Sequence, residues 1–144
     1  IRYCAAYDRQ EQVLSSLKNV LDKADALEQE ILACGSLALR QSSDAAEYNA
    51  QSEKIHRWIN YSDQFHLVFY DYCQNGRLTR AAEKQRSQLT IFSNMYEALP
   101  ETQLLIAKWH VSIYESYLAG RVDEAALKMK EHLDQSLSFA LCQI

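Results

Sequence analysis

The sequence predicts an all-α fold, an antiparallel bundle of six or seven helices. Three observations carry this. Among 144 residues there are only three Gly and one Pro, a composition that favours long helices and short turns. Apolar residues recur at spacings of three and four along most of the chain, the period of a helix with one buried face. No stretch keeps the apolar–polar alternation of a half-buried strand, and there is no internal repeat or low-complexity segment. At this length, with 48% apolar residues, the chain is one domain with a core of its own.

Residues 1–8 carry no periodic signal. A first helix is expected near 9–38, where Val13, Leu17, Val20, Leu21, Leu27, Ile31 and Leu32 recur. It is long for a globular helix, so an internal break is expected too. Cys34-Gly35-Ser36 supplies small residues for a close helix contact. Gln41-Ser42-Ser43-Asp44 reads as a loop and a helix start, because Asp44 and Glu47 form a capping-box pattern. The second helix is expected near 44–59, with a weak break at Asn60-Tyr61-Ser62. A third follows near 62–74 and stops at Asn75-Gly76. The fourth runs near 78–98 and is stopped by Pro100. The last two lie near 102–119 and 123–140. Gly120-Arg121-Val122 joins them, with Gly120 as the stop and Asp123-Glu124 in the following first turn.

Charge and composition exclude several roles. The net charge is −4 and the pI about 5.5. No basic face for nucleic acid is evident, nor a winged-helix or zinc-finger pattern, so the chain as it stands is not expected to bind DNA by itself. No apolar run reaches eighteen residues, so no membrane span is expected, and no signal peptide is visible. The first residue is not Met, which fits a fragment of a longer protein. Cys4, Cys34, Cys73 and Cys142 are far apart and form no Cys-x-x-Cys. Free, buried thiols in a reducing cytoplasm are the expectation.

The chemistry lies in the histidines. His110 and His132 stand eleven residues on either side of Arg121. At about 1.5 Å per residue both are roughly 16 Å from the turn, so an antiparallel hairpin brings them level. His110 shares a stripe with Ile106, Ile113, Tyr114 and Tyr117, and His132 follows Ala125 and Met129 on another. His66 shares its face with Ser62, Asp63, Phe69, Tyr70 and Cys73. One buried histidine is usually a hydrogen-bonded core residue. Three on apolar stripes, two of them level, point instead to a metal site, which Asp63 at i−3 and Ser62 at i−4 from His66 can both approach. His56 has polar helical neighbours, Ser52, Glu53 and Asn60, and reads as solvent-facing. Arg80 and Arg86 are candidate anion contacts, although a surface cation is the usual fate of Arg.

Phe65-His66 followed by Asn75-Gly76-Arg77-Leu78 resembles the "FH … N-P-R-L" signature of the FCD domain, the effector-binding domain of the FadR subfamily of GntR-type bacterial transcriptional regulators. Ala125, Met129 and His132-Leu133 are similar to that family's ending, with His110 twenty-two residues before His132. Leu27-Glu28 and Gly35-Ser36 resemble its first helix. The resemblance covers about 24–141, so residues 24–144 are read as the FCD-like domain and 1–23 as an N-terminal helical segment without an assigned role.

The resemblance implies a bundle of six or seven helices in which an Asp and three His hold a divalent metal, zinc first and nickel or manganese as alternatives. A small carboxylic acid binds over the metal, and the domain signals to a DNA-binding winged helix-turn-helix that this chain does not contain. It also implies a cytoplasmic homodimer. Carried over, the metal ligands are His66, His110 and His132. Arg86 stands where many members have an Arg aimed at the pocket, and Tyr114, one turn beyond His110, is taken as a second effector contact. Two positions depart from the pattern. The family's metal Asp, four residues before the first His, is Ser62 here, with Asp63 one step off, and its first-helix Arg is Ala24. Two other functions are open to the same residues. A hydrolytic metal enzyme would use Asp63 or Glu115 as base, although Glu115 lies off the face of His110. A metal-free interaction bundle would bury the histidines without an ion. The sensor reading is preferred to both.

Overall fold

The computed structural model describes residues 1–5, 9–33, 45–84 and 100–142. Among these residues the fold is all-α, with no strand. Five helices have defined ends: α1 (Arg2–Ala5), α2 (Gln10–Ala33), α3 (Ala45–Tyr72), α4 (Pro100–Leu118) and α5 (Val122–Cys142). Residues 76–84 form a further helical stretch. Helix α2 packs along α3 and also meets α4, and α4 pairs with α5 in a hairpin. The loop at 41–44, the small-residue segment at 34–36, Cys34, Arg86 and the second half of the helix expected at 78–98 fall outside the described residues.

The expected break at Asn60-Tyr61-Ser62 is not there, and no break falls within the described part of the first helix. Helices with defined ends number five among the described residues, against the six or seven expected. Helix α2 runs 24 residues without interruption. Helix α3 runs 28, straight through Asn60-Tyr61-Ser62. Neither contains Gly or Pro, and Asn, Tyr and Ser disfavour a helix interior by only about 0.5 kcal/mol each. Packing decides between the two outcomes: Tyr61 is half-buried against both hydrophobic clusters and ties the halves of α3 together.

The main cluster joins Val13, Leu17 and Val20 of α2 to Phe65, Val68 and Phe69 of α3 and to Ile113 and Tyr117 of α4. The second, Leu27, Ile55, Trp58 and Ile59, continues it along α2 and α3. Helix α2 thus contributes to both clusters and runs unbroken across position 24. Helix α1 was not foreseen, since four residues are too few to show a period. It is held by Cys4, fully buried, whose thiol donates to the Phe69 carbonyl at 3.0 Å. That carbonyl is one of the orphans at the end of α3. Cys4 and Cys73 are free and buried, as expected.

Both turns are written in local chemistry. After α3, Gln74 takes a left-handed conformation with φ 54°. Asn75 Oδ1 then accepts the Leu78 amide at 3.2 Å and caps the next helix. After α4, Gly120 sits at φ 73°. The Arg121 amide reaches back to the Ser116 carbonyl at 2.9 Å, and the Gly120 amide to Tyr117 at 3.0 Å. This pair of bonds is a Schellman stop, which needs a residue that tolerates positive φ. A polar clasp fixes the hairpin beyond it. Lys128 Nζ donates to the buried Ser116 hydroxyl at 2.8 Å and pairs with Glu124 Oε1 at 2.8 Å. Bonds from Lys128, Ser116 and Arg121 hold the Glu124 carboxyl down at about 2.

Candidate metal centre

Three helices each supply one imidazole. His66 comes from α3, His110 from α4 and His132 from α5. The Schellman turn sets the register that brings His110 level with His132. The unbroken α3 carries His66 up to both, behind Phe65, which is fully buried. His110 and His132 are buried at 4% and 3% exposure, and His66 is half-buried.

The three rings converge through one atom each. His110 Nε2 lies 3.2 Å from His66 Nε2 and 3.2 Å from His132 Nε2, and the third edge is 3.3 Å. The rings of His66 and His132 are parallel within 4°, and His110 stands nearly perpendicular to both. Phe65 lies flat against His110, with centroids 4.2 Å apart. On the other side the Trp109 indole is 6.3 Å from the His132 ring. Its Nε1–H donates to Gln135 Oε1 at 2.6 Å.

Burial governs the protonation of the trio. It pushes His66 down to about 3, with His132 adding to the shift. It holds His110 well below the ordinary value of 6.5, with His66 and His132 adding. His132 is pushed down to about 4 by burial alone. All three are therefore neutral near pH 7, and neutral imidazole is the form that binds metals.

The donor set fits a metal. Ligand nitrogens held about 2.0–2.1 Å from one ion at tetrahedral angles are separated by about 3.3–3.4 Å, close to the three edges found. The same three edges are within hydrogen-bond reach, with donor and acceptor set by the tautomer of each ring, so the metal reading rests on the convergence of all three Nε2 atoms. These three residues form the group of possible metal ligands among the described residues, with ligand atoms within 4.8 Å of one another.

Asp63 does not belong to that group. Ser62 is half-buried one turn before His66 on the same helix. Tyr114 is half-buried against the main cluster, and Arg80 is exposed on the 76–84 stretch. His56 is exposed on α3, as its polar neighbours indicated, and Glu115 is exposed on α4. Sequence reasoning missed Phe65, Trp109 and Gln135 as neighbours of the trio. Two of these stand directly before a histidine of the trio, a position that does not by itself predict a ring contact.

The family model of the FCD domain matches residues 5–135. The chain belongs to the FCD domain family. FCD domains are effector-sensing domains of GntR-type regulators, and they are regulatory ligand-binding domains, not enzymes. The match begins at residue 5, within α1. No curated protein and no solved structure is detectably similar to the chain. None of the described helices is long and apolar enough to cross a membrane.

Proposed function

We propose that this FCD domain senses a small carboxylic acid through a divalent metal held by His66, His110 and His132. One observation carries the reading: three Nε2 atoms from three helices, 3.2–3.3 Å apart, with two of the three rings buried. The metal supplies a Lewis-acidic site for an anionic oxygen. The protein's part is to hold three neutral donors in a dry surrounding, with Phe65 fixing the plane of His110. Zinc is the first expectation for a site of nitrogen donors, with nickel and manganese as alternatives. Arg86 and Tyr114 are proposed as effector contacts, and Asp63 as an outer neighbour of the site.

Helices α3, α4 and α5 meet at the trio, so occupancy of the site biases how they pack. That bias is the physical means by which such a domain signals. The further elements of the proposal are a homodimer of the FadR subfamily, located in a bacterial cytoplasm and acting on DNA through a winged helix-turn-helix outside this chain. Elemental analysis of protein purified without a His tag tests the metal. About one equivalent of a divalent transition metal per chain is expected, and its loss in a chelator should lower the melting temperature. A metal-free protein whose melting is indifferent to added zinc, nickel and manganese would overturn the reading in favour of a metal-free bundle.

A further inference from the structure

The charge of the trio bears on what stands opposite it. An imidazole that gives its Nε2 lone pair to a metal is neutral, so three of them leave the whole charge of a divalent ion uncompensated. The group formed by His66, His110 and His132 contains no carboxylate from the described residues. The unbroken α3 settles the register beside His66: Ser62 lies one turn before it. A hydroxyl therefore occupies the position from which an acid would reach the same ion. The surroundings are apolar on one side, with Phe65 flat on His110 at 4.2 Å, and two of the three ligands are almost wholly out of solvent. A double positive charge in such a place is strongly unfavourable unless an anion accompanies it.

We infer that metal and anion occupy this site as a strongly cooperative pair, and that the anion is a small dicarboxylate in preference to a monocarboxylate of the same length. The inference deepens the proposed function and rests on its metal reading. A dicarboxylate brings the two negative charges that the neutral ligands lack, and it can hold one ion through both groups. Because coupling between two ligands is reciprocal, the anion must raise affinity for the metal by the factor by which the metal raises affinity for the anion.

The test uses the full chain at pH 7.5 with zinc, malonate and propionate as probes, in a buffer of non-coordinating anions. Zinc affinity is measured by competition with a chromophoric chelator, and protein-free controls correct for zinc held by malonate. Malonate should tighten zinc binding by about tenfold or more, and propionate by much less. Ser62→Asp, which places a carboxylate one turn before His66, should bind zinc more tightly without added anion and respond less to malonate. Circular dichroism establishes that the variant is folded. If it is not, the wild-type comparison of malonate with propionate decides alone. Equal zinc affinity with and without malonate, or an equal response to propionate, overturns the pairing and leaves the metal reading standing. Failure of the folded wild-type chain to bind zinc, nickel or manganese, with or without either anion, overturns both.

Discussion

His66, His110 and His132 share one physical situation: each is a base kept neutral by burial in a folded chain and free to take a proton in an unfolded one. The sign of the pH dependence follows. Between the unfolded value near 6.5 and the lowered folded values, of about 3 for His66 and about 4 for His132, the unfolded chain binds more protons, so acid favours unfolding. The stabilising contribution is fully present above pH 6.5 and is lost as pH falls from there through about 4 and then 3. The melting temperature of the metal-free chain should therefore fall steadily from pH 7 toward pH 4, and mutation of the trio to residues that do not titrate should flatten that fall. The two buried and exposed histidine environments give a second contrast. His110→Ala should abolish stoichiometric metal content. His56→Ala, at an exposed site, should keep it and stay within about 0.5 kcal/mol of the parent in stability. Metal analysis and thermal melting of the two variants check this, and equal losses would contradict the assignment of faces.

Helix α3 is where sequence and structure part. Asn60-Tyr61-Ser62 reads as a weak break because each residue has a modest preference against helix, yet α3 passes through. Tyr61 packs on both clusters, and that tertiary term outweighs local propensities summing to about 1–2 kcal/mol. The continuity has a measurable consequence. Asn60→Pro should destabilise the domain by about 3 kcal/mol or more, while Asn60→Ala serves as the control for the lost side chain. A break at this point would instead make proline harmless, and denaturant unfolding separates the two outcomes. The α4–α5 hairpin shows the opposite case. Its Gly stop, its acidic first turn and the equal spacing of His110 and His132 about Arg121 are local or periodic signals, so its register was legible in the sequence. So were the faces of His56 and His66, which follow from neighbours at three and four. What could not be read is set by contacts between distant segments: the burial of Cys4 against the end of α3, the stacking of Phe65 on His110, and the clustering of the three histidines without Asp63. Those depend on how helices rotate against one another, and helical period alone does not specify that.

For the domain as an assembly, the proposal of a homodimer has a direct check. Light scattering at micromolar concentration should give about twice the chain mass of 16.6 kDa, and a monomer throughout that range would refute it. The bundle's construction bears on how a bound effector would be felt. The trio joins α3 to both arms of the α4–α5 hairpin, while α2 packs on α3 and α4. A change in separation among three nitrogens is therefore shared by four helices, and no single loop absorbs it. Packed interiors respond to such changes by shifting whole elements, and a shift of whole helices is what an attached domain can detect.

Trp109 gives the molecule its own lamp. The chain has two tryptophans. One, Trp58, is buried in the second cluster, and the other has its indole 6.3 Å from the His132 ring and is held by Gln135. Light emitted by an indole is dimmed by a nearby ion with a partly filled d shell and spared by zinc, whose shell is full. In Trp58→Phe, where Trp109 is the sole emitter, nickel or cobalt should extinguish much of the emission on binding, while zinc should leave it bright. A simple fluorimeter titration would then report both that the ion lands beside His132 and which class of ion it is; undiminished emission in protein shown by elemental analysis to carry nickel would place that ion elsewhere.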